Sequence, residues 1–270
     1  MEFVSRRLRA DFSLALLRPF PLIASWENRM SLQIAVVRGS AQNWQRIDAR
    51  RALRVLIGIP VRFGLFLFLP AGTLVWPRAW VFVLVSLAEM GAQFAYLWQT
   101  NPEVVIARSR YRTDSKRWDK LLLCAYLPTV LAILVVAGLD DGRFHWCPLP
   151  WSVSVVGLAL FLFGFALITW AQSINKFFES TVRIQTDRAQ RVIESGPYRT
   201  VRHPGYLGSV LVAIGTALSL GSLSALIPAL LACGLLLLRT HWEDQTLQQE
   251  LVGYKAYADR VRYRLVPLLW

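Results

Sequence analysis

The sequence predicts an all-α integral membrane protein with about six transmembrane helices, the last two a helical hairpin, and both termini cytoplasmic. Three observations carry this. Of 270 residues, 55% are hydrophobic and only 17% are charged, where a soluble domain has about a quarter charged. The apolar residues fall in runs near the roughly 20 helical residues that a bilayer core requires. The 30 Lys and Arg outnumber the 17 Asp and Glu, for a net +13, yet they lie between those runs. A disordered chain, an acidic tail protein and an ordinary cytosolic enzyme are excluded. So is nucleic-acid binding, which would cluster its Arg on a soluble fold.

The spans follow in order. Val55–Val75 is the first, interrupted by Pro60 and Arg62. Trp80–Trp98 is the second and contains Glu89. Leu121–Leu139 is the cleanest, and Val153–Ile174 is the fourth. The apolar run 207–238 is too long for one crossing and carries Gly221, Ser222 and Pro228 at its middle. It reads as a hairpin of Leu207–Leu220 and Leu223–Leu238, and the first of these covers only about 21 Å at 1.5 Å per residue.

Charge tests the count. Cytoplasmic loops carry the excess of Lys and Arg. Under six spans, 27 of the 30 basic residues fall on one side; Arg78 and Arg143 fall on the other, and Arg62 lies inside span one. Such alternation would not survive a wrong span count. Arg62 and Glu89, as ionisable residues inside spans, are candidates for a substrate path or for pairing with each other.

Residues 51–270 form one membrane domain, with a cytoplasmic loop at 175–206 and a C-terminal segment at 239–270. Residues 1–50 differ in kind. Their apolar stretch Phe12–Ala24 is broken by Arg18, Pro19 and Pro21, which suits neither a signal peptide nor a span. The favoured reading is a mobile extension, or a start placed upstream of Met30; a basic segment lying on anionic lipid is the alternative. Cys124, Cys147 and Cys233 form no CxxC pair, and with His145, His203 and His241 scattered no metal-ligand spacing arises.

Chemistry concentrates in the loop 175–206. Gly196-Pro197 and Pro204-Gly205 are turn signals. Two turns flanking Tyr198, Arg202 and His203 would gather phenols, an imidazole, a guanidinium and backbone N–H groups into one polar cradle. Arg239 and Glu243, four apart, share a helix face at the end of span six. The bland alternatives are interfacial belt aromatics for Tyr198 and Tyr206, and a lipid-facing Arg239.

Gly196-Pro197-Tyr198, then Arg202-His203-Pro204-Gly205-Tyr206, then 36 residues, then Glu243-Asp244, resembles the isoprenylcysteine carboxyl methyltransferase family and its phospholipid methyltransferase relatives. Tyr254, Tyr257, Arg260-Val261 and Pro267 resemble its C-terminal end, so the likeness covers about the last 100 residues of the chain. The resemblance implies a membrane methyltransferase using S-adenosylmethionine. It assigns cofactor contacts to Gln185, Gln190, Arg191, Val192, Ile193, Tyr198, His203, Pro204, Gly205, Tyr206 and Glu243, and substrate contact to Arg239. Two positions depart from the pattern: Gln190 stands where a His is usual, and Asp244 where a second Glu is usual.

Methyl transfer is an in-line displacement in which positioning supplies much of the acceleration. Arg239, Glu243 and His203 are the catalytic candidates. Glu243 would favour a cationic sulfonium. A carboxylate acceptor would need no base and would be oriented by Arg239 as a bidentate partner; an amine acceptor would need His203 or Glu243 as a base. Arg239 tips the reading towards an anionic acceptor on a lipophilic or lipidated molecule entering from the bilayer. The expected location is an integral membrane protein, in the inner membrane if bacterial, with the active site on the cytoplasmic face and membrane lipids as partners. The alternatives are a phospholipid N-methyltransferase, a membrane reductase of related topology using a nicotinamide cofactor, and a transporter. Glu243-Asp244 argues against a phosphorylated dinucleotide, and the lack of a repeat argues against a transporter.

Overall fold

The computed structural model describes Gly58, residues 61–109 and residues 114–270. The predicted extension 1–50 and the start of the predicted span Val55–Val75 lie outside the described residues. The unit Pro60–Trp270 is helical, with no strand among the described residues and one isolated bridge between Pro148 and Ser222.

Helix α1, Val61–Ala71, contains a π-helical turn at Gly64–Phe68. It stops before the predicted Val75 because Gly72 takes the left-handed conformation at φ 67°, the usual glycine stop signal. Helix α2, Pro77–Thr100, opens on a proline, whose missing N–H costs nothing at the first turn. Then come α3 (Pro102–Ser109), α4 (Arg117–Leu139), α5 (Trp151–Ile174), α6 (Pro204–Ser219), α7 (Leu226–Glu250) and α8 (Tyr254–Arg260). Four are long and apolar enough to cross a membrane: α2, α4 with its π-helical extension to Phe144, α5 and α7. The other two predicted spans correspond to the shorter apolar helices α1 and α6.

Exposed tryptophans mark the apolar thickness. Trp80 and Trp98 on α2 are 45% and 39% exposed, and Trp151 and Trp170 on α5 are 52% and 50% exposed. At 1.5 Å per residue each pair is separated by about 27–29 Å, close to the roughly 30 Å of a hydrocarbon core. Aromatic belts at both interfaces produce this spacing.

The predicted turn at Pro204-Gly205 is instead the first turn of α6. Proline followed by glycine suits that position because the first helical N–H groups have no intrahelical partner anyway. Helix α6 lies antiparallel against α5 through two pairs of glycines. A Cβ on Gly164 would meet the Gly208 carbonyl oxygen at 2.6 Å, and one on Gly208 would meet that of Gly164 at 2.6 Å. Gly157 and Gly215 make the second crossing, where a Cβ on Gly215 would lie 2.8 Å from the Gly157 oxygen. In lipid, where hydrophobic burial gives little preference for helix–helix over helix–tail contact, close backbone approach of this kind holds helices together. Gly208→Val is therefore expected to force the helices apart, lowering the melting temperature of detergent-purified protein by several degrees, on the order of 1–3 kcal/mol.

The end of the bundle remote from the loop 175–203 is joined by buried polar groups. Asp141 pairs with Arg78 and accepts from Trp76 Nε1 at 2.7 Å. Asp140 accepts from Ser222 Oγ at 2.6 Å and from the Cys147 N–H at 2.7 Å. Gly221, at φ 74°, has no room for a side chain, since a Cβ would lie 2.1 Å from Arg78 Nη1. These contacts tie the α6–α7 turn to the two neighbouring connections.

Candidate active site

At the opposite end, α2, α4 and α7 bring their polar ends beside the start of α6. Asn101 Nδ2 donates to the Gln172 carbonyl at 2.7 Å, which levels α2 with the end of α5. A cavity of about 630 Å³ lies between these helices, the loop after α5 and α8. That is an ordinary ligand-site volume.

The loop is held by its own side chains. Gln185, 2% exposed, donates from Nε2 to the Phe177 carbonyl at 2.7 Å. Gln190 Oε1 accepts from the Gln185 N–H at 2.7 Å. Gln190 thus braces the loop as well as lining the cavity. Arg183 is clamped between Glu179 at 2.9 Å and Asp187 at 2.7 Å. Arg191, Val192 and Ile193 follow in an irregular stretch that lines the cavity. Its backbone groups make no hydrogen bond among the described residues, so they remain open to water or a ligand.

Tyr198 and Tyr206 are not belt aromatics. Tyr198 is 6% exposed, and its hydroxyl accepts from Asn175 Nδ2 at 3.1 Å. Tyr206 lines the cavity, donates to Glu243 Oε2 in a short contact, and lies under the Arg239 guanidinium at 5.4 Å. Gly205 lets the Phe178 ring lie close beside them, for a Cβ there would meet that ring at 2.5 Å and oblige it to shift.

Asp244 is the buried centre of the C-terminal half. It receives Arg202 through Nε at 2.7 Å and Nη2 at 2.9 Å, and Arg264 Nε at 3.0 Å. His203 Nε2 lies 3.2 Å from Asp244 Oδ1, and Tyr254 OH donates to the same oxygen at 3.1 Å. An Nε2–H tautomer satisfies the carboxylate and leaves Nδ1 as an acceptor. Arg202 also donates to the Val261 and Arg262 carbonyls, and its N–H and that of His203 bond to the Tyr263 and Arg264 carbonyls. The C-terminal segment is thereby sealed onto the start of α6. Burial raises the phenol pKa values of Tyr198, Tyr254 and Tyr257 above the ordinary value, so all three stay neutral at physiological pH.

Arg239 is a cavity residue and not a lipid-facing one. Its Nε donates to Asp119 Oδ1 at 2.7 Å and its Nη2 to the Ser180 carbonyl at 2.9 Å. Side-on bidentate binding is therefore already taken, and Nη1 is the nitrogen left without a partner among the described residues. Asp119 Oδ2 in turn accepts from the Val182 N–H at 2.7 Å.

Every residue singled out in the sequence for the site lines this one cavity: Gln185, Gln190 to Ile193, Tyr198, His203 to Tyr206, Arg239 and Glu243. Arg62 and Glu89 do not line it. Glu89 Oε2 is buried without a hydrogen-bond partner among the described residues. The sequence reading missed Asp119, which lies among Arg117 and Lys120 and so resembles a solvated loop charge. Tyr254, to which the sequence assigns no contact in the site, both supports Asp244 and lines the cavity.

The chain is similar to known proteins over part of its length. Residues 153–251 match the phospholipid methyltransferase family. The probable protein-S-isoprenylcysteine O-methyltransferase of Oryza sativa subsp. indica is 36% identical over 75 residues, 26% of this chain and 37% of that protein. The Arabidopsis thaliana protein-S-isoprenylcysteine O-methyltransferase B is 26% identical over 149 residues, 54% of this chain and 72% of that protein. The Delta(14)-sterol reductase of Mus musculus is 28% identical over 140 residues, 47% of this chain and 33% of that protein. The chain thus spans little more than a third of the length of the rice relative. The match at residues 153–251 runs from α5 to the end of α7, and the C-terminal part of the chain is similar to isoprenylcysteine O-methyltransferases.

Proposed function

We propose that this chain is an integral-membrane methyltransferase that takes S-adenosylmethionine as donor and methylates a carboxylate on a lipophilic or lipidated acceptor. One observation carries the reading. A single cavity joins a polar end, with Gln185, His203, Tyr206 and Glu243, to an apolar end between the helices, with Phe82, Ile133 and Phe161. A polar donor and an apolar acceptor can therefore meet inside it. The excess of basic residues on the site side supports a cytoplasmic-facing site.

The residues fit the donor's chemistry. Glu243 offers a carboxylate to a cationic ligand, Gln185 and Gln190 offer amides, and the stretch 191–193 offers unpaired backbone groups to an aromatic base edge. When bound, the donor supplies an electrophilic methyl group on a positively charged sulfur. The chain's own task is positioning. Asp119 and the Ser180 carbonyl fix Arg239, whose Nη1 then orients the acceptor carboxylate. Tyr206 fixes Glu243, and the apolar wall excludes water, so attraction between opposite charges is little screened. For an amine acceptor, His203 Nδ1 would be the available base.

Calorimetry with S-adenosylhomocysteine on detergent-purified protein tests this. Binding is expected, and Glu243→Gln should weaken it about tenfold or more by removing a charged hydrogen-bond partner. NADPH is the comparator, because of the similarity to a sterol reductase. Tight NADPH binding with no S-adenosylhomocysteine binding would overturn the methyltransferase reading in favour of a reductase.

A further inference from the structure

The apolar half of the cavity holds a buried hydroxyl that the donor side does not use. Ser86 on α2 is 2% exposed and lines the cavity. Its Oγ is buried and has no hydrogen-bond partner among the described residues. Other helical hydroxyls here behave differently: Ser209, Thr216, Thr240 and Thr246 each donate to the carbonyl four residues back. Ser86 does not donate to the Phe82 carbonyl. A buried hydroxyl without a partner is destabilising among apolar groups, and the cost disappears when a ligand oxygen completes it. Ser154 is also unpaired but does not line the cavity, so it provides an internal control.

Position gives the subsite its meaning. Phe82, Ser86, Met90 and Gln93 all line the cavity, at spacings of four, four and three that place them along one helix face. Asn101 is level with Gln172 at the polar end. Ser86 lies fifteen residues before Asn101, on the order of 20 Å deeper along the helix. Phe63, Phe82 and Phe161 also line the cavity and pack on one another.

Resting on the methyltransferase reading above, we propose that Ser86 is a specificity subsite for the acceptor's apolar body. It donates a hydrogen bond to an oxygen carried far from the methylated group. The acceptor class is then an oxygenated lipophile, such as a keto-substituted long-chain acid, and not a plain hydrocarbon tail.

The probes are stearate and a series of oxostearates with the keto group moved along the chain, assayed for methyl transfer at saturating donor. In the wild-type protein, keto positions near the far end of the chain are expected to raise kcat/KM about tenfold over stearate. In Ser86→Ala that ratio should fall to about one, while Ser154→Ala should keep the wild-type profile. A flat wild-type profile, an unchanged profile in Ser86→Ala, or loss of the profile in Ser154→Ala would overturn the subsite. So would failure to turn over any member of the series by a protein that binds S-adenosylhomocysteine. Failure to bind S-adenosylhomocysteine falls instead on the methyltransferase reading, so the two failures are distinguishable.

Discussion

Asp244→Ala is expected to lower stability by about 3–5 kcal/mol, the cost of removing one partner from a buried ion pair. The side chain is fully buried, and Arg202, Arg264, His203 and Tyr254 converge on it. Without it, Arg202 stays buried with no carboxylate, although it keeps its bonds to the Val261 and Arg262 carbonyls. The C-terminal segment should therefore loosen before the helices do. Thermal unfolding in detergent should show the loss, and limited proteolysis should cut first near 251–264. Asp244→Asn should cost less, because an amide oxygen still accepts from one arginine while its NH₂ opposes the other. If Asp244→Ala melts like wild type, Asp244 is not the hub described above.

Asp119→Asn is expected to reduce kcat/KM for the acceptor by about a hundredfold while leaving S-adenosylhomocysteine affinity unchanged. The carboxylate bridges Arg239 Nε and the Val182 N–H. An asparagine can accept from only one of them and turns an NH₂ towards the other. Either Arg239 or the strand of loop at 180–182 must then shift. A displacement of about 1 Å at a positioning group costs on the order of 10²-fold in rate. Steady-state kinetics with donor calorimetry separates the outcomes. A loss confined to the acceptor supports a positioning role, whereas equal loss of donor binding would mean that Asp119 only holds the loop together. Asp119→Glu, which keeps both acceptor oxygens, should restore part of the rate.

Much of the fold was legible because its signals are local. The apolar runs, the glycine-containing break between Leu220 and Leu223 and the asymmetry of Arg and Lys are read residue by residue, and the helices follow them. Boundaries that depend on end effects were less legible. Pro204-Gly205 reads as a turn until the first helical turn is recognised as the place where a missing N–H does no harm. The end of α7 at Glu250, beyond the predicted Leu238, escaped a search for apolar residues because its last turns lie outside the hydrocarbon and are polar. The motif residues were found because Tyr198, His203 and Tyr206 cluster in sequence, while Asp119 reaches Arg239 across 120 positions.

The sequence alone determined which apolar segments are helical and which short motif gathers polar chemistry, since these depend on composition and on neighbours along the chain. Tertiary structure decided which face of each helix looks inward. Successive residues on a helix point about 100° apart, so rotation about the axis separates a cavity residue from a bystander. On α2 the packing turns Ser86 into the cavity and leaves Glu89 out of it. Where α6 lies was set by Gly164 and Gly208, whose contact brings two backbones together. That approach places His203 and Tyr206 beside Glu243 and Asp244, residues that are distant in sequence and meet only once the helices pack.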